Sequence, residues 1–173
     1  MSGAAWALDG PKNKDFRKEH IGVKAFVLLS TSNWRVPTKG NFYFLYIHVY
    51  RVGPKDGTRQ QGLAFPIDNP YVKSHYPGEY AITAWRTMQP GNYELMLVTH
   101  NSLFCMRDAP VYKFTLKPGD VVYLGDLHFR SGNYEIVDRY ERDYSFFSAK
   151  AAGVKPERFE RLSLQPSRTI TTC

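Results

Sequence analysis

The chain has 173 residues and a formal net charge of +7 at pH 7, and 43% of its residues are hydrophobic and 15% aromatic. This length allows one domain with a sizeable core, and the aromatic content argues against intrinsic disorder. No apolar run approaches the roughly 18 residues of a membrane-spanning helix. Acidic residues interrupt the basic ones throughout, which favours a solvated surface, so we expect no nucleic-acid partner.

The two ends of the chain are predicted to lie outside the folded domain. Residues 1–19 are polar and without periodicity, which indicates a flexible arm, and residues 165–173 form a polar tail. A single domain over residues 20–164 remains between them. Residues 1–10 lack the basic and apolar regions of a secretory signal. If this N-terminus is that of the whole protein, the sequence predicts a cytoplasmic location.

Most of the domain has the pattern of β-strands. Residues 21–30 place Val27 and Leu29 on one face and Phe26 and Leu28 on the other, which predicts a strand covered on both sides. The short apolar run around residues 63–67 contains a proline, which favours an edge strand. Further strands are predicted at residues 41–52, 80–88, 93–99, 111–116, 121–129 and 134–137.

Two proline-glycine turns precede strands rich in β-branched and aromatic residues. They are Pro90-Gly91 and Pro118-Gly119, in which proline presets φ and glycine supplies a positive φ. The short spacing predicts two hairpins, one joining the strands on either side of Pro90 and one joining those on either side of Pro118.

A helical pattern begins after residue 138. Asp138 and Glu141 fit a capping box at the start of a helix over residues 139–152. Tyr140, Tyr144 and Phe147 fall on one stripe, which we expect to pack on a sheet face. The chain is therefore predicted to be mainly β, a two-layer antiparallel β-sandwich of about seven or eight strands with the C-terminal helix packed on it.

An aromatic row on the strand at residues 41–52 is the candidate ligand-binding surface. Phe44, Tyr46, His48 and Tyr50 share one face of that strand. Such a row could stack a sugar, a base or an aromatic ligand, with His48 as the polar contact. Alternatively, the row is a core face or is covered by the stripe of the C-terminal helix.

Motifs of the common catalytic sites are absent, and we predict a protein that is not an enzyme and has no cofactor or metal. Asp126 and His128 lie two residues apart, so they share a strand face with Val122 and Leu124. This pair could serve a hydrolase, which is disfavoured, or could lie on a solvated rim.

The cysteines and the remaining histidines leave alternatives open. Cys105 and Cys173 form one disulfide or stay two independent thiols. A metal site built from His20, His75 and His100 would require three distant segments to converge, so independent surface residues are favoured.

The strings Gln89–Leu95 and Phe114–Leu127 together resemble those of an uncharacterised group of small bacterial cell-envelope proteins and predicted lipoproteins. Residues 137–143 with Phe146 and Phe147 are similar to the helical extension of that group. The resemblance covers residues 41–155. It implies a transthyretin-like, or carboxypeptidase-regulatory-like, β-sandwich, although the N-terminal signal with a lipid-accepting cysteine is missing from this chain.

The resemblance also suggests a location and a function. It implies a non-enzymatic domain in the periplasm or cell envelope that binds a protein or an envelope component, and it allows peripheral association with a membrane. The alternative function is a carbohydrate- or small-ligand-binding module that uses the aromatic row.

Overall fold

The computed structural model describes residues 16–36, 45–53, 57–68, 70–99, 107–130 and 133–171. Within these ranges no helix is long and apolar enough to cross a membrane. The elements are a 3-10 turn at Lys18–His20, ten strands and one helix, namely β1 (Ala25–Asn33), β2 (Leu45–Val52), β3 (Arg59–Asp68), β4 (Tyr80–Met88), β5 (Gly91–Thr99), β6 (Ala109–Leu116), β7 (Val121–Arg130), β8 (Asn133–Val137), α1 (Tyr140–Lys150), β9 (Glu160–Arg161) and β10 (Gln165–Ile170).

The strands form two sheets, which confirms the predicted β-sandwich with a C-terminal helix. The first sheet has the order β4-β1-β7-β8, with β9 also beside β7, and the second has the order β10-β6-β5-β2-β3. Pairing is antiparallel except between β1 and β7 and between β7 and β9. The parallel pair of β1 and β7 needs no crossover helix, because the chain passes through the second sheet between them, whereas β8 and α1 connect β7 to β9.

The main core lies between the two sheets. Val27 and Leu29 of β1 belong to it, whereas Phe26 and Leu28 belong to a second cluster on the outer face of the first sheet. The prediction that β1 is covered on both faces is therefore confirmed. The proline-containing β3 lies at the edge of the second sheet, as predicted.

The two predicted hairpins are wrong, because each proline-glycine turn carries the chain from one sheet to the other. β4 pairs with β1 in the first sheet, whereas β5 pairs with β2 and β6 in the second. At the first of these turns, Arg51 Nη2 donates a hydrogen bond to the Pro90 carbonyl at 2.9 Å. A side chain at Gly91 would meet that arginine, with a Cβ 3.1 Å from Arg51 Nε. A sharp turn thus predicts a reversal of the chain without predicting which strand becomes the neighbour.

The Pro118-Gly119 turn has the backbone that its sequence predicts. Gly119 has a φ of +84°, and the Lys117 N–H donates to Asp120 Oδ2 at 2.7 Å. The Gly119 N–H in turn donates to the Lys24 carbonyl at 3.2 Å. This bond ties the crossing between β6 and β7 to the segment that leads into β1.

The predicted capping box at the helix start is wrong. The helix begins at Tyr140, with Arg139 at the N-cap and no side-chain cap. Asp138 Oδ1 instead accepts the Tyr140 N–H at 2.9 Å. The two predicted capping carboxylates both pair with Arg161, which contacts Asp138 Oδ2 at 3.0 Å and Glu141 Oε1 at 3.4 Å.

The aromatic stripe of α1 packs on a sheet, as predicted, but on the outer face of the first sheet. Phe147 is fully buried and meets Trp85 edge-on, with ring centroids 5.4 Å apart. Tyr140 meets Tyr123 of β7 in the same way, at 5.4 Å. The aromatic row of β2 belongs to the other sheet and is not the docking face of the helix.

Both ends of the chain contribute more to the fold than the sequence suggests. Phe16, within the predicted arm, is buried and stacks on Phe26 with ring centroids 4.7 Å apart. The predicted tail forms β10, which pairs with β6, and Leu164 before it is buried in the main core. Exposed polar side chains give β10 no alternating pattern. The predictions for residues 1–15, Cys105 and Cys173 lie outside the described residues.

Candidate functional site

The outer face of the first sheet, on which α1 lies, is called the helix face. A bulge in β7 shapes it: Tyr123 lies opposite Leu28, but Asp126 lies opposite Ser30, so β7 has one extra residue. Gly125 occupies the bulge with a φ of +101°, and a Cβ there would overlap Ile136 Cγ2. Only glycine fits this position without strain, and the extra residue turns Asp126 to the same side as Tyr123.

The bulge corrects the prediction for Asp126 and His128. Val122 and Leu124 point into the main core, whereas Asp126 contacts residues of the helix face. Simple alternation along β7 had placed all four side chains together. Asp126 and His128 do share a face, and they are joined through Ser32, whose Oγ lies 2.7 Å from Asp126 Oδ2 and 2.8 Å from His128 Nδ1.

Asp143 of α1 is the centre of a buried polar network on this face. Its side chain is completely buried. Oδ2 accepts hydrogen bonds from Ser30 Oγ at 2.5 Å and from the Tyr123 hydroxyl at 2.7 Å. Oδ1 accepts from the Tyr76 hydroxyl at 3.1 Å and from Thr83 Oγ1 at 3.2 Å. These donors come from β1, β4, β7 and the segment before β4, so one carboxylate fixes α1 to three strands.

Arg142 is the cation of the network and serves two carboxylates. Its Nη2 lies 2.8 Å from Asp143 Oδ1 and 3.4 Å from Asp126 Oδ2. Burial by itself would lower the pKa of Arg142, but the two carboxylates raise it, so the guanidinium stays charged. Its outer side approaches Glu79 at 3.4 Å, and the guanidinium lies over the Tyr76 ring at 4.5 Å from the centroid.

Asp126 is the less satisfied of the two carboxylates. Its Oδ1 has no hydrogen-bond partner among the residues that the structure describes. Burial raises the pKa of Asp126, while Arg142 and the Ser32 hydroxyl act against that increase. Because α1 covers this carboxylate and shared hydrogen bonds occupy its other oxygen, the arrangement holds the helix in place and offers little access to a substrate.

The outer face of the second sheet, which carries Tyr46, His48 and Tyr50, is called the tyrosine face. The three side chains share this face, as predicted, while Phe44 lies outside the described residues. The His48 ring stacks on Tyr50 at 5.6 Å and meets Tyr46 edge-on at 6.4 Å. His48 is buried, whereas both tyrosines are partly exposed. Burial raises the pKa of Tyr50, and nearby Arg59 opposes the shift.

A charged cluster beside Tyr50 was missed by sequence reasoning. Glu94 of β5 lies opposite Tyr50 and is buried. It contacts Arg59 Nε at 2.6 Å, Arg168 Nη2 at 3.1 Å and Lys113 Nζ at 3.8 Å. The cations come from β3, β10 and β6, which are distant in sequence. The single hint in the sequence is a glutamate inside an otherwise apolar strand.

A groove of about 290 Å³ borders this cluster on the side of Val52, away from Tyr46. Its lining is formed by Val52, Asn92, Tyr93, Glu94, Lys113, Phe114 and Thr115. Thr115 Oγ1 donates to Asn92 Oδ1 at 2.8 Å, so the groove floor carries fixed polar groups. Partly exposed aromatic rings, amide and hydroxyl groups and cations are thus combined on one surface.

No metal site emerges from the described part of the chain, in which three or more histidine, cysteine, aspartate or glutamate side chains do not gather in a suitable arrangement. His75 has a structural environment: Nδ1 accepts the Thr83 N–H at 3.0 Å, and the ring stacks on Phe146 at 4.4 Å. Burial lowers its pKa. His20 Nδ1 accepts the Arg17 N–H at 3.2 Å, and His100 lies outside the described residues.

Comparisons with protein-family models, with curated proteins and with solved structures find no match to this chain, so the resemblance to envelope proteins stays a prediction.

Proposed function

We propose that the protein is a non-enzymatic binding module of the bacterial cell envelope, and that its tyrosine face contacts a carbohydrate-bearing component of the envelope. One observation carries this proposal. The helix that would have covered the aromatic row packs on the opposite sheet, and Tyr46 and Tyr50 stay partly exposed on the face that also carries the groove lined by Asn92, Glu94 and Lys113.

The chemistry of the tyrosine face suits a sugar chain. A tyrosine ring offers a flat apolar surface for the C–H face of a pyranose, and its hydroxyl can bind a sugar hydroxyl. Asn92 and Thr115 add donors and acceptors along the groove. A mainly apolar or aromatic surface with a few fixed polar groups is typical of ligand sites.

The contacts on the helix face favour a structural role for that face, which leaves the tyrosine face as the candidate binding surface. Its carboxylates are covered by α1 and bonded to hydroxyl groups of the protein. This favours a structural role for the Asp126 and Asp143 network. The envelope location comes from the resemblance in residues 41–155.

Co-sedimentation with purified peptidoglycan sacculi tests the proposed function. We expect the protein to sediment with sacculi and the double variant Tyr46→Ala/Tyr50→Ala to bind about tenfold or more weakly, since lost aromatic stacking costs roughly 1–3 kcal/mol per ring in comparable flat-ring contacts. Tyr71→Ala is the matched control, because Tyr71 is 49% exposed and lies outside the tyrosine face. Failure of the unmodified protein to sediment, or equal binding by the double variant and the control, would contradict the proposal.

The location is tested by fractionating cells that express the full genomic reading frame. The expected result is recovery in the envelope or periplasm. Recovery in the cytosol alone, with an unprocessed N-terminus, would rule out an envelope role.

A further inference from the structure

The cluster around Glu94 contains more positive than negative charge. Arg59, Lys113 and Arg168 surround one carboxylate, which leaves an excess of two positive charges at this point. From this excess we infer that the ligand of the tyrosine face is an acidic polysaccharide, whose carboxylate, sulfate or phosphate groups bind to these three cations. The inference rests on the proposed function and specifies the class of its ligand.

The burial of the four side chains separates their roles. The Glu94 side chain is only 6% exposed, whereas those of Arg59, Arg168 and Lys113 are 42%, 38% and 60% exposed. The carboxylate therefore lies beneath the cations, and an anion approaching from solvent meets the cations first. Each arginine contacts Glu94 through one nitrogen, and a guanidinium has five N–H donors, so donors remain for a second anion.

Glu94 also fixes the positions of the cations before a ligand arrives. A free arginine or lysine side chain loses roughly 0.5–1.5 kcal/mol of conformational entropy when a ligand immobilises it. The contacts of 2.6 Å and 3.1 Å to Glu94 already restrain the two arginines. A buried carboxylate that holds three exposed cations is therefore a preorganised anion site.

The cluster is continuous with the aromatic row and the groove. Glu94 lies between Tyr50 on β2 and Lys113 on β6 in the strand register. Lys113 and Glu94 also line the groove together with Asn92. A sugar ring on Tyr50 would thus place its acidic substituent beside the cations, while the neighbouring sugar follows the groove.

The charge arrangement favours a polysaccharide over a nucleic acid. A nucleic acid needs a long track of lysine and arginine, because its phosphates repeat closely along the chain. The cations here form one compact group, which matches acidic groups spaced along a sugar polymer.

The test compares polygalacturonate with its fully methyl-esterified form, which differ in charge and share one sugar backbone. Isothermal titration at low salt should show at least tenfold tighter binding of the acid form by the unmodified protein. Lys113→Gln/Arg168→Gln should lose this preference. The matched control, Lys117→Gln/Arg158→Gln, removes the same charge from exposed positions outside the cluster and should keep it. Melting temperatures verify that both variants are folded.

Three results would overturn the inference. They are equal affinity of the unmodified protein for the two polymers, binding to neither polymer, and an equal loss of the preference for the acid form in the cluster variant and the control. Tighter binding of single-stranded DNA than of polygalacturonate would overturn it as well. If the proposed function is correct and the inference is wrong, the protein would still bind sacculi through Tyr46 and Tyr50 in each of these cases. The failure of the inference is therefore distinguishable from the failure of the proposed function.

Discussion

The two outer faces of the sandwich use buried carboxylates in opposite ways. On the helix face, Asp126 and Asp143 share one guanidinium, that of Arg142, and α1 covers them. On the tyrosine face, one glutamate holds three cations that reach solvent. Buried carboxylates under a helix need hydrogen-bond donors from hydroxyl groups of the protein, and these bonds leave little room for a ligand. Surplus cations at the surface stay hydrated and can bind another anion.

Removal of the central carboxylate of the helix face should have the largest effect. We expect Asp143→Ala to lower the free energy of unfolding by about 3–5 kcal/mol, because it leaves Arg142 and several buried hydroxyls without their partner. Urea denaturation monitored by circular dichroism measures this change. Ser145→Ala, at an exposed position of the same helix, should stay within about 0.5 kcal/mol of the unmodified protein. A loss below about 1 kcal/mol for Asp143→Ala would show that the network does not anchor α1.

A substitution at Gly125, in the bulge that shapes the helix face, should have the second-largest effect. Gly125→Ala combines a positive φ with overlap between the new Cβ and Ile136, so we expect a loss of about 1–3 kcal/mol in the free energy of unfolding. Gly78→Ala is the matched control, since Gly78 has a φ of +80° but nothing lies within 4 Å of the position that a Cβ would take there. If thermal or urea unfolding shows the same loss of stability for Gly125→Ala and Gly78→Ala, the close packing at the bulge contributes nothing to stability.

The smallest effect expected is a change in pH dependence at Asp126. Because burial raises the pKa of Asp126 above its unfolded value of about 3.9, the folded protein binds more protons, and this contribution to stability is lost as pH rises through the raised pKa. Asp126→Asn should remove that loss, so its free energy of unfolding relative to the unmodified protein should increase as the pH rises above the unfolded pKa of about 3.9.

Urea denaturation at several pH values measures this difference, with Glu141→Gln as the control for an exposed carboxylate on α1. The free energy of unfolding of Asp126→Asn could differ from that of the unmodified protein by the same amount at every pH. That result would show that Asp126 does not titrate with a raised pKa.

The candidate ligand surface could be predicted in part. Tyr46, His48 and Tyr50 alternate with buried aliphatic residues along β2, so their shared face follows from the strand period alone. The cations near Glu94 could not be predicted in the same way, since Arg59, Lys113 and Arg168 lie on three strands whose register depends on the whole sheet. The packing of Tyr140 and Phe147 on a sheet face could be predicted from the helical stripe, whereas the choice between the two sheets could not.

The sequence by itself determined the properties that depend on neighbouring residues: the β class, the alternation along β1 and β2, the positive φ of Gly119 and the aromatic stripe of α1. The tertiary structure decided which strands become neighbours, because an arch between sheets and a hairpin within one sheet begin with the same proline-glycine turn. It also decided where Asp126 points, since a single extra residue at Gly125 reverses the alternation of β7. The charged groups of both faces come together only through contacts between distant segments, which local sequence patterns do not record.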